Sequence, residues 1–458
     1  MVIPSAADRL FLKFAPVFSA PTYARWVVLA VAAILTTGRR TVTNLLRTVR
    51  GVAKGHASSF HRVLSRARWA PLKLARTLAG FIMNGFVGPG PVVLAVDDTV
   101  DEHRGKKVYG KGCHRDAVRS THSFTAFRWG HKWVVLAILV RFPFATRSWA
   151  LPVLVALYRS PEKTRRGKRR VRRRIAPGCK HRTQAQITVL LIALLMRWFP
   201  ERKFVLIGDG GYASHTLAGL TRRYSGRLTV VSHFHGDAAL YKPAPIRRKT
   251  SKAGRPKVRG RRLACPEKVV KHAKRKKLRV EWYGGGSRKV SVVSREGGWY
   301  RGGEGLVPVR WVHVRDLTGT HRDEYFFSTD PSMTPREIIG YYTRRWSIEV
   351  TFEEMRSCLG LETTRGRTEK TVLRAAPSLF GLYSIVAALY AQLPKAKQRK
   401  GKVTWEGKKT VTFSDAMCAV RRWIWEEWIL GTSRHGMSFK NLPRIVRQTV
   451  LAAMAPAA

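Results

Sequence analysis

Two short apolar runs in this chain each stop at an acid. Val92 to Val96 leads straight into Asp97, and Phe204 to Ile207 reaches Asp209 through Gly208. An unbroken apolar run closed by turn-forming residues is the pattern of a strand buried on both faces. Such strands lie side by side in a covered sheet and deliver the residues at their ends to one edge. The expected fold class is therefore α/β, a mixed sheet with two carboxylates at a common edge.

A third acid comes from a helix. Thr334-Pro335-Arg336-Glu337 reads as a capping box with proline at the first helical position, which starts a helix firmly, and Gly360 is a natural stop. Between them Tyr342, Arg345, Glu349 and Arg356 are spaced by three, four and seven residues, which places them on one stripe. On that stripe Glu349 either pairs with Arg345 in an exposed ladder or stands beside a phosphate gripped by the tyrosine hydroxyl and the guanidinium groups.

Charge narrows the chemistry. The 458 residues hold 86 Lys plus Arg against 28 Asp plus Glu, a formal net charge of +58, which calls for a polyanionic partner. A disordered basic tail would have a similar balance, but 45% hydrophobic residues and 14 Trp provide for buried cores. Cys113, Cys179, Cys265, Cys358 and Cys418 lie without close pairs, which fits a reducing compartment and gives no zinc finger. Cys113-His114, and Cys179 with His181, read as incidental neighbours rather than ligands. Trp26 to Leu35 is shorter than the roughly 18 to 20 residues that cross a bilayer and reads as a core helix. No secretory signal is expected, and the chain is placed with DNA in the cytoplasm. Three carboxylates converging under such an excess of positive charge suit chemistry on a phosphodiester. Hard oxygen ligands of this kind hold two divalent ions about 3.5 to 4 Å apart, while lysines and arginines neutralise the flanking phosphates.

The chain divides by pattern into five stretches. Residues 1–88 read as a helical, arginine-studded region for binding a DNA end, with Arg39, Arg40, Arg47, Arg50, Arg62, Arg66 and Arg68 among apolar positions. Gly51 and Gly55 form a turn there, and Ser58 or Ser59 caps the helix after it. Residues 89–231 form the first part of the sheet, with strands over Thr121 to Trp129 and Trp133 to Val140 separated by a Gly130-His131 turn. They also contain an arginine run, Arg165 to Arg174, read as a DNA-contacting loop. Residues 232–332 are a β-rich basic insertion whose basic part, Arg247 to Arg262 with Gly254-Arg255-Pro256 and Lys268 to Arg279, is expected to be flexible until DNA orders it. Its Trp282, Trp299 and Trp311 either pack in a core or stack on an extruded base. Residues 333–395 return to the sheet with the signature helix, and 396–458 form a helical basic tail whose Trp423 and Trp425 serve assembly or core packing.

With these residues in view, the chain resembles the DDE transposases of bacterial insertion sequences, in the subgroup whose last catalytic helix carries a Tyr-Arg-Glu-Lys signature. Here Arg356 stands in the lysine's place, which keeps the charge and changes the geometry of that contact. The family's first acid follows a strand in an Asp-x-Thr context, matching Asp97-Asp98-Thr99 and favouring Asp97 over Asp98; the second falls on Asp209. The resemblance covers most of the chain. It implies a ribonuclease H-like sheet with a β-rich insertion and flanking helical regions. It implies Asp97, Asp209 and Glu349 as catalytic and metal-binding acids, Tyr342, Arg345 and Arg356 as DNA contacts, and Mg²⁺ as cofactor with Mn²⁺ as substitute. The implied partner is double-stranded DNA, both the element's terminal inverted repeats and the target, held by a homodimer in a synaptic complex. The implied reaction is cutting by metal-activated water, then attack by the freed 3′ hydroxyl, sometimes through a hairpin. Two other readings share the residues: a ribonuclease H-like nuclease without strand transfer, and a catalytically inactive DNA-binding relative.

Overall fold

The computed structural model describes residues 5–50, 53–116, 120–121, 123–160, 163–166, 169–172, 181–245, 257–408, 410–432 and 442–454. Helices α1 (Ser5–Leu12), α2 (Ala20–Leu35), α3 (Val42–Thr48), α4 (Ala57–Ser65) and α5 (Pro71–Phe86) precede the first strand. The apolar stretch of α2 is a core helix, with Trp26, Val31, Ile34 and Leu35 buried. Two local expectations are corrected here. The cap of α4 is His56, whose ring accepts from the Ser58 amide, and not a serine. Arg40, read with the arginines of the DNA-end-binding region, is instead buried and donates to the Cys358 carbonyl at 2.6 Å, tying this region to a segment more than three hundred residues away. Gly51 lies outside the described residues.

The strands are β1 (Val92–Glu102), β2 (Gly112–Arg115), β3 (Phe127–Val140), β4 (Trp149–Tyr158), β5 (Lys163–Arg166) and β6 (Arg169–Arg172). Then follow α6 (Gln184–Trp198), β7 (Phe204–Gly208), α7 (His215–Arg223), β8 (Leu228–His233), β9 (Leu240–Tyr241), α8 (Pro266–His272), β10 (Lys276–Glu281), β11 (Ser287–Arg301), β12 (Gly305–Asp316) and β13 (Glu324–Ser328). β1, β3 and β4 form an antiparallel meander, and β7 and β8 lie parallel to β1, with α6 and α7 as the crossovers. The order β4-β3-β1-β7-β8 is the ribonuclease H-like arrangement that the family resemblance implies. The apolar runs are buried as their pattern requires: Val92, Leu94, Ala95 and Val96, like Phe204 to Ile207, have 4% exposure or less.

β3 corrects the expected turn at Gly130-His131, because it runs unbroken through both residues. Glycine stands at 130 for another reason. It pairs with Glu102, and a Cβ there would overlap the carbonyl oxygen of Asp101, so the backbone of β1 comes too close for a side chain. The arginine run forms a two-stranded hairpin of β5 and β6 where described; positions 167–168 and 173–174 lie outside the described residues.

The β-rich insertion continues the same sheet. β13 pairs antiparallel with β8, and β12, β11 and β10 follow in order, giving an 11-stranded sheet among the described residues. Trp282 and Trp311 are buried, and Trp299 packs on His215, Phe234 and Phe327, so all three tryptophans pack in the core. Residues 246–256, with Gly254-Arg255-Pro256, lie outside the described residues, whereas Lys268 to Arg279, expected to be flexible, is ordered in α8 and in β10 paired with β11.

The last elements are α9 (Pro335–Arg344), α10 (Trp346–Ser357), α11 (Glu369–Gln392), α12 (Lys395–Lys400), α13 (Phe413–Thr432) and α14 (Arg444–Met454). By length and composition α11 is apolar enough to cross a membrane, but 72% of that apolar window is buried inside the protein, and its Ser384 donates to the Pro152 carbonyl of β4. Trp423 and Trp425 of α13 are buried, and Arg421 beside them donates to the Ile34 and Thr36 carbonyls at the end of α2.

Candidate active site

The register of β1 and β7 sets the first two acids side by side. Val96 pairs with Gly208 in parallel, so Asp97 and Asp209 are the next residues of adjacent strands. Neighbouring strands stand about 4.8 Å apart, which puts the two carboxyls within reach of one ion. Gly208 lets the chain turn at once, since a Cβ there would come within 2.7 Å of the Tyr212 side chain. Asp209 caps that turn, accepting from the Gly211 amide at 2.9 Å.

α9 and α10 bring in the third acid. The capping box forms as read, with Thr334 and Glu337 bonding each other's backbone amides. The stripe is not one regular helix, however. The helix tightens at Arg345, whose amide bonds to Tyr342 and whose carbonyl accepts from Ile348, three residues away in each direction. The Arg345 backbone stays helical, with φ −53° and ψ −37°. Its guanidinium points back over the sheet edge, where one nitrogen, Nη1, lies 3.1 Å from Asp97 and 2.6 Å from Glu349. Two oxygens bound to one nitrogen cannot be further apart than those contacts laid end to end. Asp97 and Glu349, more than two hundred residues apart in sequence, therefore meet.

The electrostatics are those of acids crowded out of water. Burial, the nearby Asp209 and Asp98 push the Asp97 carboxyl up to about 8, against the pull of Arg345. Burial and Asp98 also raise Asp209, again opposed by Arg345. Burial works against the charge on Arg345, but Asp97 and Glu349 hold it firmly protonated. Glu349 is the most open of the three, with a side chain 45% exposed.

The remaining signature residues are placed as follows. Tyr342 is 5% exposed, its ring stacked on Phe326 at 4.1 Å and lying under Arg345, and burial pushes its hydroxyl up to about 12. Arg356 donates to the Thr99 hydroxyl of the Asp-Asp-Thr sequence and faces Glu362 at 3.7 Å. Odd-numbered positions of β1 thus receive this helical layer, Arg345 at Asp97 and Arg356 at Thr99. Asp98 faces the opposite way, where Lys132 lies 2.9 Å away and Gln184 and Tyr212 donate to its other oxygen. Sequence reasoning missed Lys132 and Gln184. The only signal for them was strand alternation, which turns Asp98 away from Asp97.

Alternation also separates Cys113 from His114, the first exposed and the second buried, so that pair cannot hold one ion; Cys179 lies outside the described residues.

A family model described as DDE superfamily endonuclease matches residues 13–289, more than half of the chain. The chain belongs to the DDE superfamily endonucleases. A second model, described as "Archaeal putative transposase ISC1217", matches residues 265–376, so the two matches together take in Asp97, Asp209 and Glu349. None of the curated proteins compared matches the sequence. Among solved structures the chain is similar to one in the cryo-EM structure of the piggyBac transposase synaptic complex with hairpin DNA. The identity is 11%, the TM-score 0.40, and the match covers 96% of this chain and 77% of that one, a likeness too distant to place any residue. Membership of the DDE superfamily implies a divalent cation, and the residues present fit one: three hard oxygen donors at one sheet edge, two of them pushed toward protonation by burial and by neighbouring acids.

Proposed function

We propose that this DDE endonuclease is a transposase that cuts and joins phosphodiesters at the ends of a mobile DNA element. Asp97, Asp209 and Glu349 are its catalytic acids and would hold Mg²⁺, or Mn²⁺ in its place. The observation that carries the proposal is the single Arg345 guanidinium bonded to both Asp97 and Glu349, beside the strand that ends at Asp209. A cationic nitrogen already occupies the space between two of the acids. Two divalent ions there would supply Lewis-acid activation of the attacking hydroxyl and of the departing oxygen.

The chain's own residues do the rest. Arg345 and Arg356 face the scissile strand and neutralise its phosphates, while Tyr342 braces Arg345 from below as a DNA-positioning residue. Asp98, held by Lys132, Gln184 and Tyr212, anchors the strand end that carries Asp97. The net charge of +58 gathers the DNA by counterion release. The finer reading places the protein in the bacterial insertion-sequence subgroup with the Tyr-Arg-Glu-Lys helix, acting in the cytoplasm as a homodimer on terminal inverted repeats and target DNA. There water cuts first and the freed 3′ hydroxyl then attacks.

Asp209→Asn tests the site. The variant is expected to bind element ends with unchanged affinity and to lose strand cleavage; cleavage at a normal rate removes Asp209 from the mechanism. The family description "endonuclease" over residues 13–289 favours one second reading, a nuclease without strand transfer. Joining of a labelled 3′ end to target DNA separates the two.

A further inference from the structure

We infer that Asp101, His103 and His131 form a second metal site, a structural one for Zn²⁺, separate from the catalytic acids. The three side chains are 0%, 6% and 2% exposed, and each offers a ligand atom, all lying within 4.8 Å of one another. Nothing in the proposed cutting reaction uses them.

The argument begins with a proton. His131 Nε2 lies 3.0 Å from the carbonyl oxygen of Tyr109, which can only accept, so Nε2 carries the hydrogen. In a neutral imidazole Nδ1 then bears a lone pair. That lone pair faces Asp101 Oδ1 at 3.4 Å, an oxygen already accepting from the His131 amide at 3.0 Å, and Nδ1 has no hydrogen-bond partner. Two acceptors aimed at each other in a dry pocket repel unless a positive charge lies between them, a proton on Nδ1 while the site is empty and a metal ion in its place once it is filled.

A cation fits the spacing. Asp101 Oδ2 and His103 Nε2 are 3.2 Å apart, and Asp101 Oδ1 and His131 Nδ1 are 3.4 Å apart. Around a tetrahedral zinc with bonds of about 2.0 to 2.1 Å, neighbouring ligand atoms stand about 3.4 Å apart. The Nε2–H bond to a backbone carbonyl is the outer contact that fixes a ligating imidazole. Two nitrogens and a carboxylate suit zinc better than magnesium, which takes oxygens. The three residues leave one tetrahedral position open.

The site is not the catalytic one. Asp101 lies four residues beyond Asp97, about 13 Å along the strand, against the roughly 4 Å that separates paired catalytic ions. Its place suggests its use: it pins the chain leaving β1 to β3, where Gly130 allows the strands to close up.

Metal analysis of the full-length protein, purified without chelator and dialysed against trace Zn²⁺, tests the inference. The expectation is about one tightly held zinc per chain. It should be retained in Asp97→Asn and Asp209→Asn and lost in His131→Ala and His103→Ala. Should those histidine variants fail to fold, Co²⁺ added to the intact wild-type protein supplies the readout, since tetrahedral coordination gives intense visible absorption. Wild-type protein that takes up neither zinc nor cobalt overturns the site, as does uptake unchanged in a folded His131→Ala variant. A nitrogen NMR signal showing His131 protonated at both ring positions in zinc-saturated protein also overturns it. Loss of cleavage in the Asp209 variant leaves each of these outcomes unmoved, so the two proposals stand or fall separately.

Discussion

Asp97 and Asp101 sit on the same face of the same strand, four residues apart, and their surroundings drive them in opposite directions. Both are buried, and burial pushes each toward protonation. At Asp97 two further acids add to that push and the carboxyl rises to about 8; at Asp101 a hydrogen bond from His103 and the charge of His131 and His103 outweigh it and hold the group at about 2. Burial alone therefore does not distinguish a carboxyl that holds its proton from one that loses it. What distinguishes them is whether donors or other acids surround the group.

The largest test of this contrast is catalytic. Asp97→Asn and Glu349→Gln are each expected to lower strand cleavage at least about a thousandfold, as loss of metal-borne charge stabilisation does, with DNA affinity changed about twofold or less. Gel assays of cutting and binding on the same DNA ends would read both. Next in size is stability. Asp101→Asn leaves a buried imidazole without its carboxylate and should cost about 2 to 4 kcal/mol in urea unfolding. Asp97→Asn in chelator at pH 7 should stay within about 1 kcal/mol of wild type, because a mostly protonated carboxyl and an amide are alike in shape and charge. If the two changes destabilise equally, the contrast between the sites is lost.

The contrast also fixes the sign of the pH dependence. The folded-state pKa of Asp97 is raised, so the stability it contributes is intact below about 4 and declines as pH climbs through about 8. The folded-state pKa of Asp101 is depressed, so its contribution is present above about 4 and fades as pH falls toward 2. In chelator, Asp97→Asn should therefore gain on wild type by about 1 to 3 kcal/mol between pH 5 and pH 9. Thermal melts across that range check it, and a flat difference would mean that Asp97 is ionised throughout.

How far the sequence reveals this architecture depends on the range of the interactions involved. The acid-tipped strands of Asp97 and Asp209 and the capped helix of Glu349 are written in local pattern, because apolar runs and capping boxes act over a few residues. The tightening at Arg345 is not. It lets one guanidinium span Asp97 and Glu349, and only the packing of α9 and α10 on the sheet produces it. Gly130-His131 misleads for a similar reason. Glycine reads as a turn in sequence, yet here it answers to a neighbouring strand thirty residues away, and the histidine beside it enters a cluster that no local spacing announces. Arg40 and Arg421 look like surface cations until tertiary contacts supply carbonyl partners for them.

The smallest expected effect concerns the far end of the same strands. Among the described residues, Phe127 and Trp129 lie 66% and 58% exposed on one face of β3, and Lys111 sits over the Trp129 ring at 5.5 Å. The tryptophans that the sequence offered for base stacking are packed away in the sheet, while these open rings, beside a cation and on the strand that carries His131, form one exposed platform. Stacking on an unpaired base contributes about 1 to 3 kcal/mol, so Trp129→Ala should weaken binding to DNA ends with unpaired bases by about 5- to 150-fold. Binding to fully paired duplex should stay nearly unchanged. Fluorescence titration with the two kinds of end distinguishes a stacking role from a general loss of charge, because losing charge would weaken both alike.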